Sequence, residues 1–528
     1  MTPAIKPPCD EGVIRSKQCA APCSRSVGRW VLAATILGSS IALIDGTVVN
    51  VALPVLQESL NATATDVQWI VESYALFLAA LILVGGSLGD FFGRRRIFIY
   101  GVAIFALASI WCGFSPNVNQ LIIARAVQGV GGAMLVPGSL AIISAAFSSE
   151  ERGRAIGTWS GFTAITSALG PVLGGWLVEN ASWRWIFFIN VPMAVVVIAI
   201  AYWRVPESRD ESARHLDWWG AALATFGLGA IVFGLIEASR LGLSNFLVIA
   251  CLVLGAVILA AFIYVERNNR APMMPLPLFK SRTFSGANLL TLLLYSALGG
   301  VFYFFPFNLI QVQGYSATAA GAAFLPFILL MFVLSRWSGS LVGRYGAKLP
   351  LVVGPAIASI GFALFSIPSI GGSYWTTFFP AIVVLGFGMA ISVAPLTTTV
   401  MGAVKVRQAG VASGINNAVS RTASLLSIAV LNIFVLSAFN RSLDRRLAVL
   451  NIPMQVQQLL TTERIKLAGA EVPPGLSNEI STNIERAIAL SFVDGFRLVM
   501  WIAVGLAIAS ALVSWLTIKN RQKESKFS

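Results

Sequence analysis

The chain has 528 residues, of which 56% are hydrophobic and only 11% are charged. Soluble domains carry about 25% charged residues, so this composition excludes a soluble enzyme, a disordered chain and a small disulfide-stapled secreted module. The formal net charge of +14 would favour nucleic-acid binding only if the basic residues formed one patch, and they do not. Because backbone groups in lipid must be hydrogen-bonded within the protein, the composition predicts an all-α polytopic membrane protein.

Five cysteines and one histidine limit the chemistry that the chain can perform. Cys19 and Cys23 have a spacing that is loosely like a metal pair, but no second pair and no nearby histidine completes four ligands. His215 lies in a polar loop, and there is no phosphate-binding G-x-x-x-x-G-K-[ST] sequence. We therefore predict no metal, no cofactor and no enzymatic activity.

Apolar stretches of about 20 residues, each long enough to cross a hydrocarbon core of ~30 Å, recur from Trp30 onward. They predict fourteen membrane spans. The spans lie near residues 30–53, 68–88, 97–114, 121–145, 155–178, 185–203, 217–236, 246–265, 284–310, 319–342, 349–367, 378–401, 410–438 and 496–517.

The distribution of lysine and arginine tests this count, because short cytoplasmic loops are enriched in both residues. With the N-terminus inside, the cytoplasmic segments carry 25 of them and the short outer loops only Arg184 and Arg240. Both termini are therefore predicted to be cytoplasmic. The predicted organisation is a leader at 1–29, a six-helix half at 30–204, two inserted helices at 217–265, a second six-helix half at 284–517 and a tail at 518–528.

One outer loop, residues 439–494, is long and carries six basic and six acidic residues. Leu443–Leu460 and Ser477–Leu490 have the pattern of amphipathic helices, and a Val-Pro-Pro-Gly break at 472–475 separates them. We expect this loop to be a structural cap; a binding site is the alternative.

Two glycine-rich segments of the chain share one sequence pattern. Gly86–Arg95 follows span 2 and Gly339–Lys348 follows span 10, with identical Gly, Ser, Leu and later Gly at matching positions. Internal repeats of this kind build many transporter folds. The repeat predicts that the six spans before the insert and the six after it are equivalent halves.

Several motifs together resemble those of the major facilitator superfamily, and in particular its fourteen-span drug:proton antiporter branch (EmrB/QacA-like). They are the span 1 run Leu43–Pro54, the loop segment Gly86–Arg95, the span 4 residues Arg125, Gln128, Gly129, Gly131 and Gly132, the span 5 residues Gly161, Gly170, Pro171, Gly174 and Gly175, and more thinly Gly410–Asn417 with Arg421. The second loop copy departs from the motif, because Gly343 stands where an aspartate is expected.

The resemblance implies a major facilitator fold of two six-helix halves plus two inserted helices, fourteen transmembrane helices in all. It further implies a monomeric antiporter in a bacterial inner membrane that exports small lipophilic or amphipathic compounds in exchange for protons, as in multidrug efflux. The partners are then the substrate, protons and the lipid bilayer, with no nucleic acid. Proton-coupled or facilitated transport of a specific solute or lipid is the main alternative. An intramembrane enzyme or a receptor is disfavoured because no buried catalytic constellation and no appended signalling domain is evident.

Three ionisable residues lie in the outer halves of their predicted spans: Asp45, Glu72 and Arg125. An ionisable group inside a span costs roughly 2.5–3.5 kcal/mol on insertion scales, so it requires a partner or a water-filled cavity. We predict that the proton-carrying site includes Asp45 and Glu72, and that the charge of Arg125 controls how readily these carboxyl groups exchange protons. The alternative is an ion pair that only sets helix packing.

Polar residues in other spans are candidates for the substrate cavity. Near mid-membrane, Arg421 either binds an anionic or polar substrate group or ties its helix to backbone carbonyls, and the sequence does not separate these roles. The cavity candidates are Asn50, Gln128, Asn416, Asn417 and Arg421.

Two further motifs are assigned mechanical roles. Asp90 and Arg94 are predicted to form a cytoplasmic latch, whereas Arg95 and Arg96 are expected to serve membrane topology alone. In span 5, Pro171 interrupts the helix and the glycines permit close packing, which predicts a tight seam that opens in one direction; ordinary small-residue packing is the alternative. The span 5 residues are Gly170, Pro171, Gly174 and Gly175.

Overall fold

The computed structural model describes residues 25–518 except for 148, 210–216, 270–271, 405–407, 451, 453 and 474–475. Most of the leader with its three cysteines, the loop histidine His215 and the tail from 519 lie outside the described residues. In the described ranges the chain is helical throughout, with short connections and no β-strand. The prediction of an all-α polytopic fold is confirmed.

Fourteen long helices follow one another in the part of the chain that the structure describes, and each overlaps a predicted span; the short helices Trp185–Phe188 and Ala317–Ala322 lie near the starts of spans 6 and 10. They are α1 Arg25–Ser59, α2 Ala64–Phe92, α3 Arg94–Phe114, α4 Val118–Ala146, α5 Ser149–Asn180, α6 Asn190–Arg204, α7 Trp218–Leu241, α8 Phe246–Asn268, α9 Arg282–Phe307, α10 Leu325–Tyr345, α11 Lys348–Phe365, α12 Phe379–Gly402, α13 Ala409–Leu447 and α14 Asn478–Thr517.

Thirteen helices of the described chain are long and apolar enough to cross a membrane, and α5 is not among them. It is nevertheless 32 residues long and occupies the position of the fifth predicted span. Its sequence is rich in glycine, serine and threonine, which suits a helix that packs closely against a neighbour.

The long outer loop is shorter than the sequence predicts, because α13 and α14 extend into it. The predicted helix Ser477–Leu490 is the first part of α14, which runs without a break for 40 residues after an N-cap at Ser477. The predicted helix Leu443–Leu460 is divided between the end of α13 and a separate short helix, Met454–Glu463.

The chain is organised as two structural units. Unit 1 comprises Met1–Val49, Ile70–Gly229 and Gly255–Pro275, and unit 2 comprises Asn50–Trp69, Ala230–Leu254 and Leu276–Ser528. A buried apolar cluster in unit 1 includes residues of α1, α2, α3, α4 and α6. In unit 2, the ring of Phe305 contacts four other phenylalanine rings, Phe324, Phe365, Phe378 and Phe496.

Unit 2 includes the ends of α1 and α2 at residues 50–69, which join the loop between α13 and α14. The side chain of Gln57 donates a hydrogen bond to the carbonyl of Lys466 at 3.1 Å and accepts one from Gln311 at 3.0 Å. Next to these bonds, Leu467 is buried beside Phe304 and Phe492. These contacts support the expectation that the loop is a structural cap.

Candidate functional site

The span 4 motif combines two polar residues with three glycines on α4. Arg125 and Gln128 are three residues apart and therefore lie on one face. A Cβ atom on Gly129 would lie 2.5 Å from the carbonyl oxygen of Tyr74 in α2, and one on Gly131 would lie 2.6 Å from the backbone nitrogen of Phe105 in α3. The glycines thus allow α2 and α3 to approach α4, which brings their side chains within reach of Arg125.

The predicted Asp45–Arg125 pair is present and fully buried. The Nη1 atom of Arg125 lies 2.5 Å from Oδ2 of Asp45, and the two side chains are 1% and 0% exposed. The same nitrogen donates to Oε1 of Gln128 at 2.6 Å, and Nε donates to the carbonyl of Ile70 at 3.2 Å. The guanidinium carbon lies 4.3 Å from the centre of the Tyr74 ring, so a cation–π contact completes its surroundings.

Amide donors occupy the second oxygen of Asp45. Its Oδ1 accepts hydrogen bonds from Nε2 of Gln128 at 2.8 Å and from Nδ2 of Asn190 at 3.1 Å. Both amides also lie within hydrogen-bond distance of the hydroxyl of Ser109, at 2.8 and 3.3 Å. We call Asp45, Ser109, Arg125, Gln128 and Asn190 the buried polar network; α1, α3, α4 and α6 contribute to it.

Sequence reasoning identified only part of this network. It treated Gln128 as a cavity candidate, whereas the structure places its amide between Asp45 and Ser109. It did not single out Ser109, Asn190 or Tyr74. Asn190 offered a usable signal, because it is a polar amide near the start of an apolar span and a buried amide requires hydrogen-bond partners.

Glu72 lies on α2 and its side chain is fully buried. Arg125 forms its ion pair with Asp45, and its hydrogen bond to α2 is made with the carbonyl of Ile70, two residues before Glu72. The structure therefore places Asp45 and Arg125 in direct contact, with Glu72 about half a turn farther along α2.

The network ties Asp45 of α1 to Arg125 of α4 through a buried ion pair. Removing one partner of a buried ion pair typically costs 3–5 kcal/mol, because a charge is left uncompensated. Protonation of Asp45 would remove the negative charge, but Arg125 would keep the Ile70 carbonyl, Gln128 and the Tyr74 ring as partners. Among the described residues, no group of three or more histidine, cysteine or acidic side chains could hold a metal ion.

The span 5 glycines pack against α1 one turn from Asp45. A Cβ atom on Gly170 would overlap the hydroxyl of Thr47, and one on Gly174 would lie 2.8 Å from Cγ1 of Val48. Pro171 and Gly175 are also buried. We call this contact the α1–α5 seam; both of its sides belong to unit 1.

The cavity candidates in unit 2 have different surroundings. The Asn416 amide donates to Oγ1 of Thr291 at 2.7 Å and to Oδ1 of Asn288 at 3.1 Å, which ties α13 to α9. Asn417 is exposed and donates to the backbone of its own helix, and Arg421 is partly exposed. Asn50, the remaining candidate, is partly buried at the beginning of the segment 50–69.

The predicted latch residues form a local ion pair. The guanidinium of Arg94 lies 2.8 Å from Oδ1 of Asp90, four residues earlier. The neighbouring arginines do more than set topology, which corrects the sequence-based expectation. The backbone N–H groups of Arg95 and Arg96 donate to the two carboxylate oxygens of Glu207, at 3.0 and 3.2 Å, and both guanidinium groups lie 3.7 Å from it.

Glu207, in the segment after α6, therefore caps the N-terminus of α3. We expect Glu207→Ala to lower the thermal midpoint of the purified protein, because loss of a helix cap costs about 1 kcal/mol and two arginines lose a counter-charge. Glu207→Gln should have a smaller effect because it keeps an acceptor.

The control is Glu485→Ala, which removes an exposed carboxylate from α14. The readout is the thermal unfolding midpoint in detergent. Equal midpoints for Glu207→Ala and Glu485→Ala would contradict the assigned cap.

Comparison with known proteins places these features in a family. Residues 35–428 match the Major Facilitator Superfamily. The multidrug resistance protein Stp of Mycobacterium tuberculosis is 34% identical over 498 residues, which cover 92% of this chain and 91% of that protein. The tetracenomycin C resistance and export protein of Streptomyces glaucescens is 31% identical over 510 residues, with coverage of 95% and 94%.

Solved structures agree on the fold. A bacterial homologue of the human lysosomal transporter Spinster superposes with a TM-score of 0.65 at 16% identity, covering 94% of this chain and 97% of that one. A D-xylose–proton symporter superposes with a TM-score of 0.56 at 14% identity, with coverage of 93% and 97%. The chain belongs to the major facilitator superfamily, where it groups with multidrug and antibiotic resistance transporters.

Proposed function

We propose that this chain is a proton-coupled antiporter that exports small lipophilic or amphipathic compounds by alternating access. The buried Asp45–Arg125 pair is the observation that supports proton coupling. It places a carboxyl group inside the protein, away from bulk water, next to an arginine that keeps it in position. The names of the relatives support the export part, since they include resistance to several drugs and export of tetracenomycin C. A proton that enters down a potential of 100 mV supplies about 2.3 kcal/mol, which drives accumulation without a nucleotide.

In the proposed cycle, Asp45 and Glu72 carry the protons and Arg125 tunes their exchange. Protonation of Asp45 weakens its ion pair with Arg125 and loosens α1 from α4. Deprotonation restores the pair. Asp90 and Arg94 act as a latch at the cytoplasmic end of α2, and the α1–α5 seam keeps α1 in register with the network. Substrate binding is assigned to polar side chains that include Asn50, Asn416, Asn417 and Arg421.

The proposed setting is a bacterial inner membrane, with a monomeric protein and both termini in the cytoplasm. The asymmetry of basic residues supports this orientation: the predicted cytoplasmic segments contain 25 lysines and arginines, against two in the short outer loops.

Dye transport in everted membrane vesicles tests this function. With an acidic interior, wild-type vesicles should accumulate a lipophilic dye, and a protonophore should abolish the accumulation. Asp45→Asn and Glu72→Gln should each reduce gradient-driven accumulation by about tenfold or more, because loss of a required proton carrier removes the coupling.

Glu58→Gln is the matched control, because it removes an exposed carboxylate from α1 and should leave transport unchanged. Full proton coupling in both Asp45→Asn and Glu72→Gln would end the assignment of the proton site. Dye movement in the opposite direction under the same gradient would instead favour uptake of a specific solute.

A further inference from the structure

One arginine inside a membrane span has no ion-pair partner in the part of the chain that is described. Arg421 lies twelve residues after the start of α13, near the middle of the predicted span 410–438. Its guanidinium makes no hydrogen bond and no ion pair within the described residues, whereas Arg125 is paired with Asp45. Because an ionisable group in a span requires a partner or a water-filled cavity, this charge calls for a functional explanation.

Helix packing does not supply that explanation. The contact between α9 and α13 is made by other groups: the Ser427 hydroxyl donates to the carbonyl of Ser296 at 2.5 Å, and the Ser296 hydroxyl donates to the carbonyl of Ala423 at 3.2 Å. Asn416 adds its hydrogen bond to Thr291. The two helices are therefore held together without the guanidinium, and no backbone carbonyl of the described chain accepts a hydrogen bond from it.

The surroundings of Arg421 suit a negatively charged ligand. Asn417 precedes it by four residues and so lies on the same face of α13; its side chain is exposed and that of Arg421 is partly exposed. Tyr295 of α9 faces this part of α13, because its carbonyl accepts a hydrogen bond from the Ser424 hydroxyl at 3.5 Å, and its phenol interacts electrostatically with the guanidinium. Guanidinium groups bind carboxylates and similar anions through two parallel charge-assisted hydrogen bonds, and a phenol and an amide add neutral donors.

We propose that Arg421, with Tyr295 and Asn417 beside it, binds an anionic group of the exported compound, either a carboxylate or a phenolate on an otherwise lipophilic molecule. This inference rests on the proposed export function and specifies its substrate class. It also gives the intramembrane charge a role, because the bound anion supplies the counter-ion that the described part of the protein lacks.

The test uses two dyes that differ in one charged group: rhodamine B, which carries a free carboxylate, and its ethyl ester. Transport of both is measured in everted vesicles for wild type, Arg421→Gln, Arg421→Lys and the control Arg445→Gln, which alters an exposed arginine of the same helix. Arg421→Gln should raise the KM for rhodamine B by about tenfold, which corresponds to about 1.4 kcal/mol, because the charge-assisted hydrogen bonds to the carboxylate are lost. The KM for the ester should change by less than about twofold.

Arg421→Lys should keep a preference for rhodamine B but with a higher KM, because it keeps the charge and loses the paired N–H groups, whereas Arg445→Gln should leave the wild-type KM for both dyes unchanged. Equal losses for both dyes in Arg421→Gln, or unchanged transport of both, would overturn the proposal. A wild-type protein that exports the ester and not the acid would also overturn the proposal.

If the wild type exports neither dye nor any other lipophilic compound, the export function itself fails, which is a different result. Binding of rhodamine B to purified protein, followed by fluorescence, gives the same comparison for any variant of low abundance, and an unchanged affinity in Arg421→Gln would also overturn the proposal.

Discussion

Arg125→Gln should abolish gradient-driven export and reduce the amount of folded protein. The substitution removes the only ion-pair partner that the described structure gives Asp45, whose side chain is fully buried. Leaving one charge of a buried pair uncompensated typically costs 3–5 kcal/mol. A loss of this size is a large fraction of the roughly 5–15 kcal/mol by which folded domains are stable, so fewer molecules should reach the membrane in a folded state.

Neutralising the partner in the same chain separates stability from transport. In the double variant Asp45→Asn/Arg125→Gln no unpaired charge is buried, and Gln128 and Asn190 can donate to the new amide oxygen as they do to Asp45. We expect the folded amount and the thermal midpoint to recover most of the loss. Export should remain absent, because the titratable group is gone.

The measurements are protein abundance in membranes, the thermal midpoint in detergent and dye transport under a pH gradient. Arg445→Gln provides the control, because Arg445 is exposed on α13 and surface substitutions usually change stability by less than about 0.5 kcal/mol. Recovery of gradient-driven export in the double variant would show that the pair only sets helix packing.

The membrane architecture was predictable from the sequence because hydrophobic length and the placement of basic residues determine it directly. The same rule that makes intramembrane charge costly singled out Asp45 and Arg125, and the structure brings them into contact. Hydropathy locates only the apolar part of a helix, however. It therefore ended span 13 at residue 438 and began span 14 at residue 496, and it missed that the amphipathic helix predicted at Ser477–Leu490 is continuous with span 14 and that α13 continues to Leu447.

Other parts of the site depend on contacts that are distant in sequence. Asn190 lies 145 residues from Asp45, and Glu207 lies 112 residues from Arg95. Polar uncharged residues are tolerated in spans at low cost, so Ser109 and Asn190 gave a weaker signal than an ionised group. Which side chains meet across helices follows from helix rotation and neighbours, and neither can be read from a single sequence.

The α1–α5 seam links helix packing to the buried polar network. Thr47 and Val48 of α1 contact the span 5 glycines, and Asp45 is two and three residues before them. Displacement of α1 at the seam would therefore move the carboxylate away from Arg125 and from the amides that hold it. For this reason, a substitution that touches neither a charge nor a hydrogen bond of the network should still abolish coupling.

Gly170→Leu should eliminate gradient-driven export, because even a Cβ atom at this position overlaps the Thr47 hydroxyl and overpacking of a tight core typically costs about 1–3 kcal/mol. Gly170→Ala should cause a partial loss, and Thr47→Ala in the same chain should restore transport by removing the overlapping hydroxyl.

Gly157→Leu is the control on the same helix, since a Cβ atom there meets nothing within 4 Å. Dye transport and protein abundance would be measured for each variant. Normal transport by Gly170→Leu, or equal losses in Gly170→Leu and Gly157→Leu, would show that the seam is ordinary packing; rescue of Gly170→Ala by Thr47→Ala would tie the defect to this one contact.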